Sequence, residues 1–485
     1  MIEKMSSYTK IVATIGPASD SYETIRSCIE AGVRVIRLNF SHGSAEEQLL
    51  RLQRVRQISN ELHIPVAVMQ DLQGPKIRIG LLQQSSYYLE KGHTIILTSE
   101  SCIGNEHRVS IDYPSLDEEI SVGARILIDD GLISLTVSKI DNKEIHCIVE
   151  EGGILRARKG VNLPKVALKH LSSFTEKDKR DLDFAFTNDV DYVALSFVRS
   201  ASDVSALRIH MKSTYGREIP IISKIEKPEA VEDLHGIMSQ SSAIMIARGD
   251  LGVEMYPEEV PLIQKSIIRA CLRAGLPVIT ATQMLESMMN NPRPTRAETN
   301  DVANAVLDGT SAVMLSGESA AGKYPLNAVE TMRRIVVHTE QSLEFKHLVH
   351  EQSLNKDHVD MSNKRSTTDA VGLATREIAL ATKAVLIMCF TYSGNTARLI
   401  SKYRPSTPVI ALSPIGSTVR RLALSWGVRS YLIEHLSSIE ASLHYAEQFV
   451  KKHNLAKQGD TVVVTAGVPV GKSGMTNMIK VMEIV

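Results

Sequence analysis

The chain holds 485 residues, of which 43% are apolar and 23% charged, with 55 basic side chains against 55 acidic ones. Such a composition supplies a large core and excludes a disordered chain, and zero formal net charge excludes a general nucleic-acid binder. No run of ~18 uncharged apolar residues offers a membrane span, and the length allows about three domains, although one (β/α)8 barrel takes up ~250 residues alone.

The N-terminal ten residues carry Glu3 and no apolar stretch, so they do not read as a secretory signal. The five cysteines, Cys28, Cys102, Cys147, Cys271 and Cys389, are scattered and form no C-x-x-C pair. Neither a disulfide framework nor a zinc site is expected, and a reducing, cytoplasmic compartment is. Short apolar runs at 11–16, 33–40 and 66–71 read as buried strands. Between the last two, Ser44-Ala-Glu-Glu47 is a capping box, followed by Leu49, Leu52, Val55 and Ile58 at helical spacing.

From Gly74 to about Leu168 the helical period disappears. Ile133, Leu135 and Val137 alternate with polar neighbours, and Asp130-Gly131 and Gly152-Gly153 are turn signals. This predicts a small β-barrel domain inserted over 74–167. The strand–helix rhythm resumes at Thr175, with strand runs at 192–197, 219–226, 243–250, 277–283 and 312–317. A second capping box, Thr295–Glu298, opens a helix that stops at Gly309. Three strands before the insertion and five after it predict an α/β fold, a (β/α)8 TIM barrel over 1–73 and 168–345. The polar stretch at about 345–367 reads as a linker. Strand runs at 384–390, 408–413, 429–434, 461–466 and 479–485 predict a C-terminal α/β domain over 346–485.

Function in such a barrel gathers at the C-terminal strand ends. Here they carry Arg37, Asn39, Ser41 and His42; Asp71; Lys224 and Glu226; Arg248-Gly249-Asp250; Thr282; Ser316 and Glu318. Any one of these alone is as easily a solvated or salt-bridged rim residue; together they converge on one rim. Glu226 and Asp250, on adjacent strands with no His or Cys nearby, are oxygen ligands suited to Mg2+ or Mn2+. Lys224 lies two residues from Glu226 and so faces the same side of its strand. An ammonium fixed beside a divalent ion suits an oxyanion or a transferring phosphoryl group. Arg37 and Arg78 add positive charge, and Gly249 lets backbone N–H groups approach an anion at a helix start.

The segments V-I-R-L-N-F-S-H-G (35–43), D-L-Q-G-P-K-I-R (71–78), I-I-S-K-I-E-K-P-E-A-V (221–231), M-I-A-R-G-D-L-G-V-E (245–254), A-T-Q-M-L-E-S-M (281–288) and L-S-G-E-S-A (315–320) resemble the pyruvate kinase family. P-R-P-T-R-A-E (292–298) and D-V-A-N-A-V-L-D-G (301–309) extend the resemblance, which covers essentially the whole chain. It implies a phosphotransferase that moves the phosphoryl group of phosphoenolpyruvate to ADP, giving pyruvate and ATP in the last step of glycolysis. By the same resemblance, Lys224 steadies the phosphoryl group and the enolate oxygen. Arg37 meets the phosphoryl group, and Gly249, Asp250 and Thr282 hold the substrate carboxylate. Water near Thr282 and Ser316 delivers the proton. Asn39, Phe40, Ser41, His42, Arg78 and Lys159 line the nucleotide site. A monovalent-cation pocket maps to Asn39, Ser41, Asp71 and the carbonyl of Leu72. In the family, Lys and Leu at the positions of Lys76 and Leu72 accompany independence from K+, and the ammonium of Lys76 is expected to neutralise the neighbourhood of Asp71. A homotetramer is implied.

Thr391-Tyr-Ser393-Gly394-Asn395-Thr396 sits at a strand-to-helix turn, where hydroxyls and N–H groups form an anion nest. It resembles the family's effector-phosphate loop, with Lys472 on a second loop at 467–477, and predicts a phosphorylated small-molecule effector. G-V-P-V-G-K-S (467–473) is not a P-loop, because three residues rather than four separate its glycines. His63 and His93 lack a partner at metal spacing and read as ordinary polar surface. Two rival readings are a metal-dependent lyase or aldolase on a similar barrel, separable by nucleotide dependence, and a non-catalytic sensor, against which Lys224, Glu226 and Asp250 all stand.

Overall fold

The computed structural model describes residues 7–164, 166, 168, 171–345, 366–469 and 476–485. Eight parallel strands close a barrel: β1 (Lys10–Thr14), β2 (Val33–Asn39), β3 (Ala67–Asp71), β4 (Tyr192–Val198), β5 (Ile221–Ile225), β6 (Ala243–Ala247), β7 (Val278–Ala281) and β8 (Ala312–Leu315). Each pairs with its chain neighbour, and β1 with β8 completes the ring. The strands are buried on both faces, which is why they read as continuous apolar runs. On β6, Ile244 and Ile246 pack outward against the helices, while Ala243 and Met245 fill the interior. The Ser44 and Thr295 capping boxes are formed, opening helices Ala45–Leu62 and Arg296–Leu307.

Period two decides what stands at the top of the barrel. The interior is filled by Val12, Val35, Met69, Ala194, Ile222 and Met314. Two residues further along the same strands come Thr14, Arg37, Asp71, Ser196, Lys224 and Ser316. Ala423 and Leu424, from the C-terminal domain, belong to the same interior cluster and close it from the other side.

The insertion has its own apolar core, including Ile95, Leu97, Ile126, Leu135 and Val149. Its six-stranded sheet runs from edge strand Val161–Asn162 to edge strand Arg108–Ser110. The strip Ile77–Gly80 bonds to both edges: Val161 N–H donates to Ile77 O at 2.9 Å and Gly80 N–H to Ser110 O at 2.8 Å. The sheet thereby curls into the small barrel expected.

The third domain is a five-stranded sheet of β9 (Leu386–Phe390), β10 (Val409–Ser413), β11 (Val428–Leu432), β12 (Thr461–Gly467) and β13 (Thr476–Glu483) in the order β11-β10-β9-β12-β13, the last antiparallel. Several boundaries shift by a residue or two from expectation, and three of the shifts have a visible cause or a larger size. β6 stops at Ala247 because Arg248–Glu254 turns helical. β7 stops at Ala281, where Thr282 and Gln283 take positive φ. β13 begins at Thr476 rather than 479. Most of the expected linker lies outside the described residues; helix Thr367–Ala381 follows it, capped by Ser366.

Candidate active site

The rim of the barrel holds a compact charged cluster. Asp71 and Glu226 are each 1% exposed and Lys224 9%. Arg37 Nε donates to Asp71 Oδ2 at 2.7 Å and its Nη1 to Thr14 Oγ1 at 3.1 Å. Lys224 Nζ stands 3.5 Å from Asp71 Oδ1 and 2.8 Å from Glu226 Oε1, and donates to Ser196 Oγ at 2.8 Å. Ser196 Oγ in turn donates to Leu72 O at 2.7 Å.

These pairings set the protonation states. Burial acts to lower the pKa of Lys224, but Asp71 and Glu226 outweigh it and hold the ammonium above its ordinary value. Burial acts to raise Asp71, yet Lys224 and Arg37 bring it below the usual carboxylate range. Glu226 goes the other way: burial raises it, Lys224 opposes, and the neighbouring charge of Asp250 adds to the rise.

That last imbalance bears on a metal. Glu226 Oε2 accepts from Phe197 N at 2.6 Å. Glu226 Oε1 is buried, and the group facing it is the Lys224 ammonium at 2.8 Å. A buried carboxylate whose pKa stays raised despite one ammonium, beside a second carboxylate, is the condition a hard divalent cation relieves. Glu226 and Asp250 therefore fit such an ion. Among the described residues no group of three or more His, Cys, Asp or Glu does, so water and substrate oxygens must complete the shell.

Beside this cluster, helix Arg248–Glu254 brings Gly249 against β7. Gly249 N donates to Thr282 Oγ1 at 2.7 Å, and Arg248 Nη2 donates to Thr282 O at 2.7 Å. Thr282 has φ of 67°, a conformation a β-branched residue rarely adopts, held here by both bonds. Ser316 Oγ is buried without a hydrogen-bond partner. Glu318 is a brace, accepting from Leu285 N at 3.0 Å and from Ser316 N at 2.8 Å.

The remaining candidates divide. Burial, then the charges of Arg78, Arg37 and Lys76, push the His42 imidazole below its ordinary pKa. Lys159 pairs with Asp129 of the inserted domain at 2.9 Å. Asn39 Oδ1 accepts from Ser41 N at 3.1 Å. Phe40 is buried edge-on to Phe184, so its ring belongs to the core, while its N–H donates to Asp71 O at 3.0 Å and its carbonyl accepts from Lys177 Nζ at 2.9 Å. Leu72 is buried, with its carbonyl accepting from Ser196. Lys76 does not neutralise Asp71 as expected: among the described residues the ion-pair partners of Asp71 are Arg37 and Lys224, while the Lys76 stem runs beside Gly160.

In the C-terminal loop, Thr391 Oγ1 accepts from Gly394 N at 3.0 Å, and Thr396 Oγ1 pairs with Thr476 Oγ1 at 2.7 Å. Both threonines are buried, and Ser393 is exposed. Gly394 has φ of 81° and caps helix Asn395–Lys402, so Asn395 stands at its N-terminus. Lys472 lies outside the described residues. Thr14 and Ser196 are the rim residues sequence reading missed; the inward period of β1 and β4 carried the signal.

The family model described as "Pyruvate kinase, barrel domain" matches residues 6–329, and "Pyruvate kinase, alpha/beta domain" matches 369–482. A pyruvate kinase of Geobacillus stearothermophilus is 44% identical over 479 residues, 98% of this chain and 80% of that one. A pyruvate kinase of Clostridium acetobutylicum is 43% identical over 474 residues, 98% of each chain. The crystal structure of a pyruvate kinase from Cryptosporidium parvum superposes with a TM-score of 0.92 at 38% identity, covering 99% of this chain and 97% of that one. Rim chemistry, fold and sequence agree, and the chain belongs to the pyruvate kinase family.

Proposed function

We propose that the chain transfers the phosphoryl group of phosphoenolpyruvate to ADP, giving pyruvate and ATP. The observation that carries this reading is the Lys224 ammonium, held between the buried carboxylates of Asp71 and Glu226, with the charge of Asp250 acting on Glu226. Arg37 and Lys224 meet the phosphoryl oxygens, Arg37 being oriented by Asp71 and Thr14. The bond from phosphorus to the enol oxygen breaks as an oxygen of ADP bonds to phosphorus, and Lys224 Nζ donates to the enolate oxygen left behind. Glu226 and Asp250 hold Mg2+ or Mn2+, which when bound supplies charge neutralisation for substrate and phosphoryl oxygens. The helix start at Gly249, Asp250 and Thr282 orients the substrate carboxylate. The methylene carbon of the enolate takes its proton from water held at the hydroxyls of Thr282 and Ser316. His42, Arg78 and Lys159 receive the nucleotide, with Asn39, Phe40 and Ser41 forming its floor.

Four further readings belong to this proposal. Activity is independent of K+, because Asp71 is already compensated by Arg37 and Lys224 and Leu72 O by Ser196. A phosphorylated effector binds at Ser393 and the N–H groups of Asn395 and Thr396, with Lys472 at its far end. The chain assembles as a homotetramer. It works in the cytoplasm, consistent with five free cysteines and with no described helix long and apolar enough to cross a membrane.

One assay tests these activities. Pyruvate formation is followed with phosphoenolpyruvate, ADP and Mg2+, and each component is left out in turn. All three are expected to be required; turnover without a nucleotide overturns the reading in favour of a lyase. Strong activation when K+ replaces an organic cation overturns the K+ reading. At subsaturating phosphoenolpyruvate, the absence of any response to sugar phosphates overturns the effector reading. Light scattering gives the assembly state.

A further inference from the structure

Glu254 is the last residue of the helix that begins at Arg248-Gly249-Asp250. It is a carboxylate only 3% exposed, outside the rim cluster, and the transfer chemistry above makes no use of it. Its Oε1 accepts from Lys227 Nζ at 2.6 Å and from Asn162 Nδ2 at 2.8 Å. The three residues come from three parts of the molecule. Lys227 follows Glu226 directly and opens the short helix Pro228–Glu232. Asn162 sits on the edge strand Val161–Asn162 of the inserted domain and is itself buried. That edge strand pairs with Arg125–Ile128, which runs straight into Asp129, the partner of Lys159.

One buried oxygen therefore ties the inserted domain to the end of β5 and to the substrate-side helix. A buried carboxylate needs a compensating charge, and Lys227 alone satisfies that need. The second bond, from a neutral amide, adds nothing to charge balance; what it adds is a fixed distance between two domains. A cleft lined by Pro75, Ile77, Val161, Asn162, Phe197 and Lys227 runs beside the junction.

We propose that Glu254 and Asn162 are positioning residues that latch the inserted domain over the barrel rim in the orientation that receives the nucleotide. The inference rests on the reading that the nucleotide lies between Lys159 and the barrel. Opening the latch should weaken nucleotide binding and leave phosphoenolpyruvate, held by the barrel, largely unaffected.

The experiment reverses the polarity of the bond. Asn162→Asp sets two carboxylates against each other, and the expected result is a rise of about tenfold or more in KM for ADP, the size of losing a hydrogen bond to a charged group. Binding of phosphoenolpyruvate with Mn2+ should change less than about twofold, an interval small beside that loss. Asn162→Asp combined with Glu254→Gln restores a donor–acceptor pair in the opposite sense, with Lys227 free to balance the carboxylate introduced on the edge strand, and should recover most of the affinity. Lys159→Ala is run in parallel. If Lys159→Ala leaves the ADP response unchanged, the nucleotide placement is wrong. If Lys159→Ala raises KM and Asn162→Asp does not, the latch is wrong. Failure of the double variant to recover, or equal losses for both substrates with a lowered Tm, assigns the junction to folding alone and overturns the proposal.

Discussion

Lys224 is a charge that burial should neutralise and that its surroundings keep. Two carboxylates and one hydroxyl face it within 3.5 Å, and their attraction outweighs the burial that acts against the ammonium. The same contacts hold the side chain still, so its charge is in place before any phosphoryl group arrives. Lys224→Met keeps the stem and removes the charge. Arg37 remains to compensate Asp71, and the carboxylates of Glu226 and Asp250 are unchanged. We expect kcat to fall about 100- to 1000-fold, the loss of one pre-placed stabiliser of developing charge. Titrations of metal and phosphoenolpyruvate should stay close to wild type. A variant that retains more than half the wild-type kcat would remove Lys224 from the mechanism.

The helix Arg248–Glu254 shows how an element divides structural from chemical work. Arg248 braces the rim through Asp301 at 2.7 Å and the Thr282 carbonyl, while Gly249 leaves space above Thr282. A Cβ added at Gly249 meets Thr282 Oγ1 at 3.4 Å, an ordinary contact, and the backbone needs no glycine-only φ. Gly249→Ala should therefore keep or slightly raise Tm, alanine being the better helix former by up to about 1 kcal/mol. It should raise KM for phosphoenolpyruvate several-fold by filling the approach to the carboxylate. A lowered Tm with unchanged KM would assign Gly249 to packing. The strand runs and both capping boxes were legible in the sequence because they rest on local period and local hydrogen bonds. The end of β6 was not, since no turn residue separates the apolar run from Arg248-Gly249-Asp250, where the chain has already turned helical. Ser196 and Thr14 escaped for a different reason. A single hydroxyl at a strand end carries no partner in sequence, and only the closed barrel brings Ser196 to Lys224 and Thr14 to Arg37. At Thr391 and Thr396 the hydroxyls already have partners, the Gly394 N–H within the turn and Thr476 Oγ1 on β13, which no local pattern announces.

At the scale of the molecule, the barrel and the C-terminal domain are joined through the start of β1. Tyr8 stacks on Trp426 at 4.7 Å, and Gly427 N–H donates to Tyr8 O at 3.0 Å. Glu340 accepts from the N–H groups of Tyr8 and Thr9 at 2.8 and 2.7 Å. Lys10 Nζ donates to Val428 O, on β11, at 2.8 Å. Burial, helped by Arg34 and Arg429 and opposed by Glu340, brings Lys10 down to about 7 from 10.5. Between about 7 and 10.5 the unfolded chain thus binds a proton that the folded chain does not. Stability must rise with pH across that window, and below it the penalty for the buried charge stands in full. Lys10→Met removes the titrating group and with it this slope. It also leaves Val428 O without its donor, a cost of about 1–3 kcal/mol that does not vary with pH. The variant should therefore lose ground steadily to wild type as pH increases from about 7 toward 10.5. Thermal unfolding of both proteins at intervals across that range reads the difference in Tm directly. Parallel curves would mean that Lys10 keeps its proton in the seam, so that the interdomain contact is made by an ammonium and not by an amine.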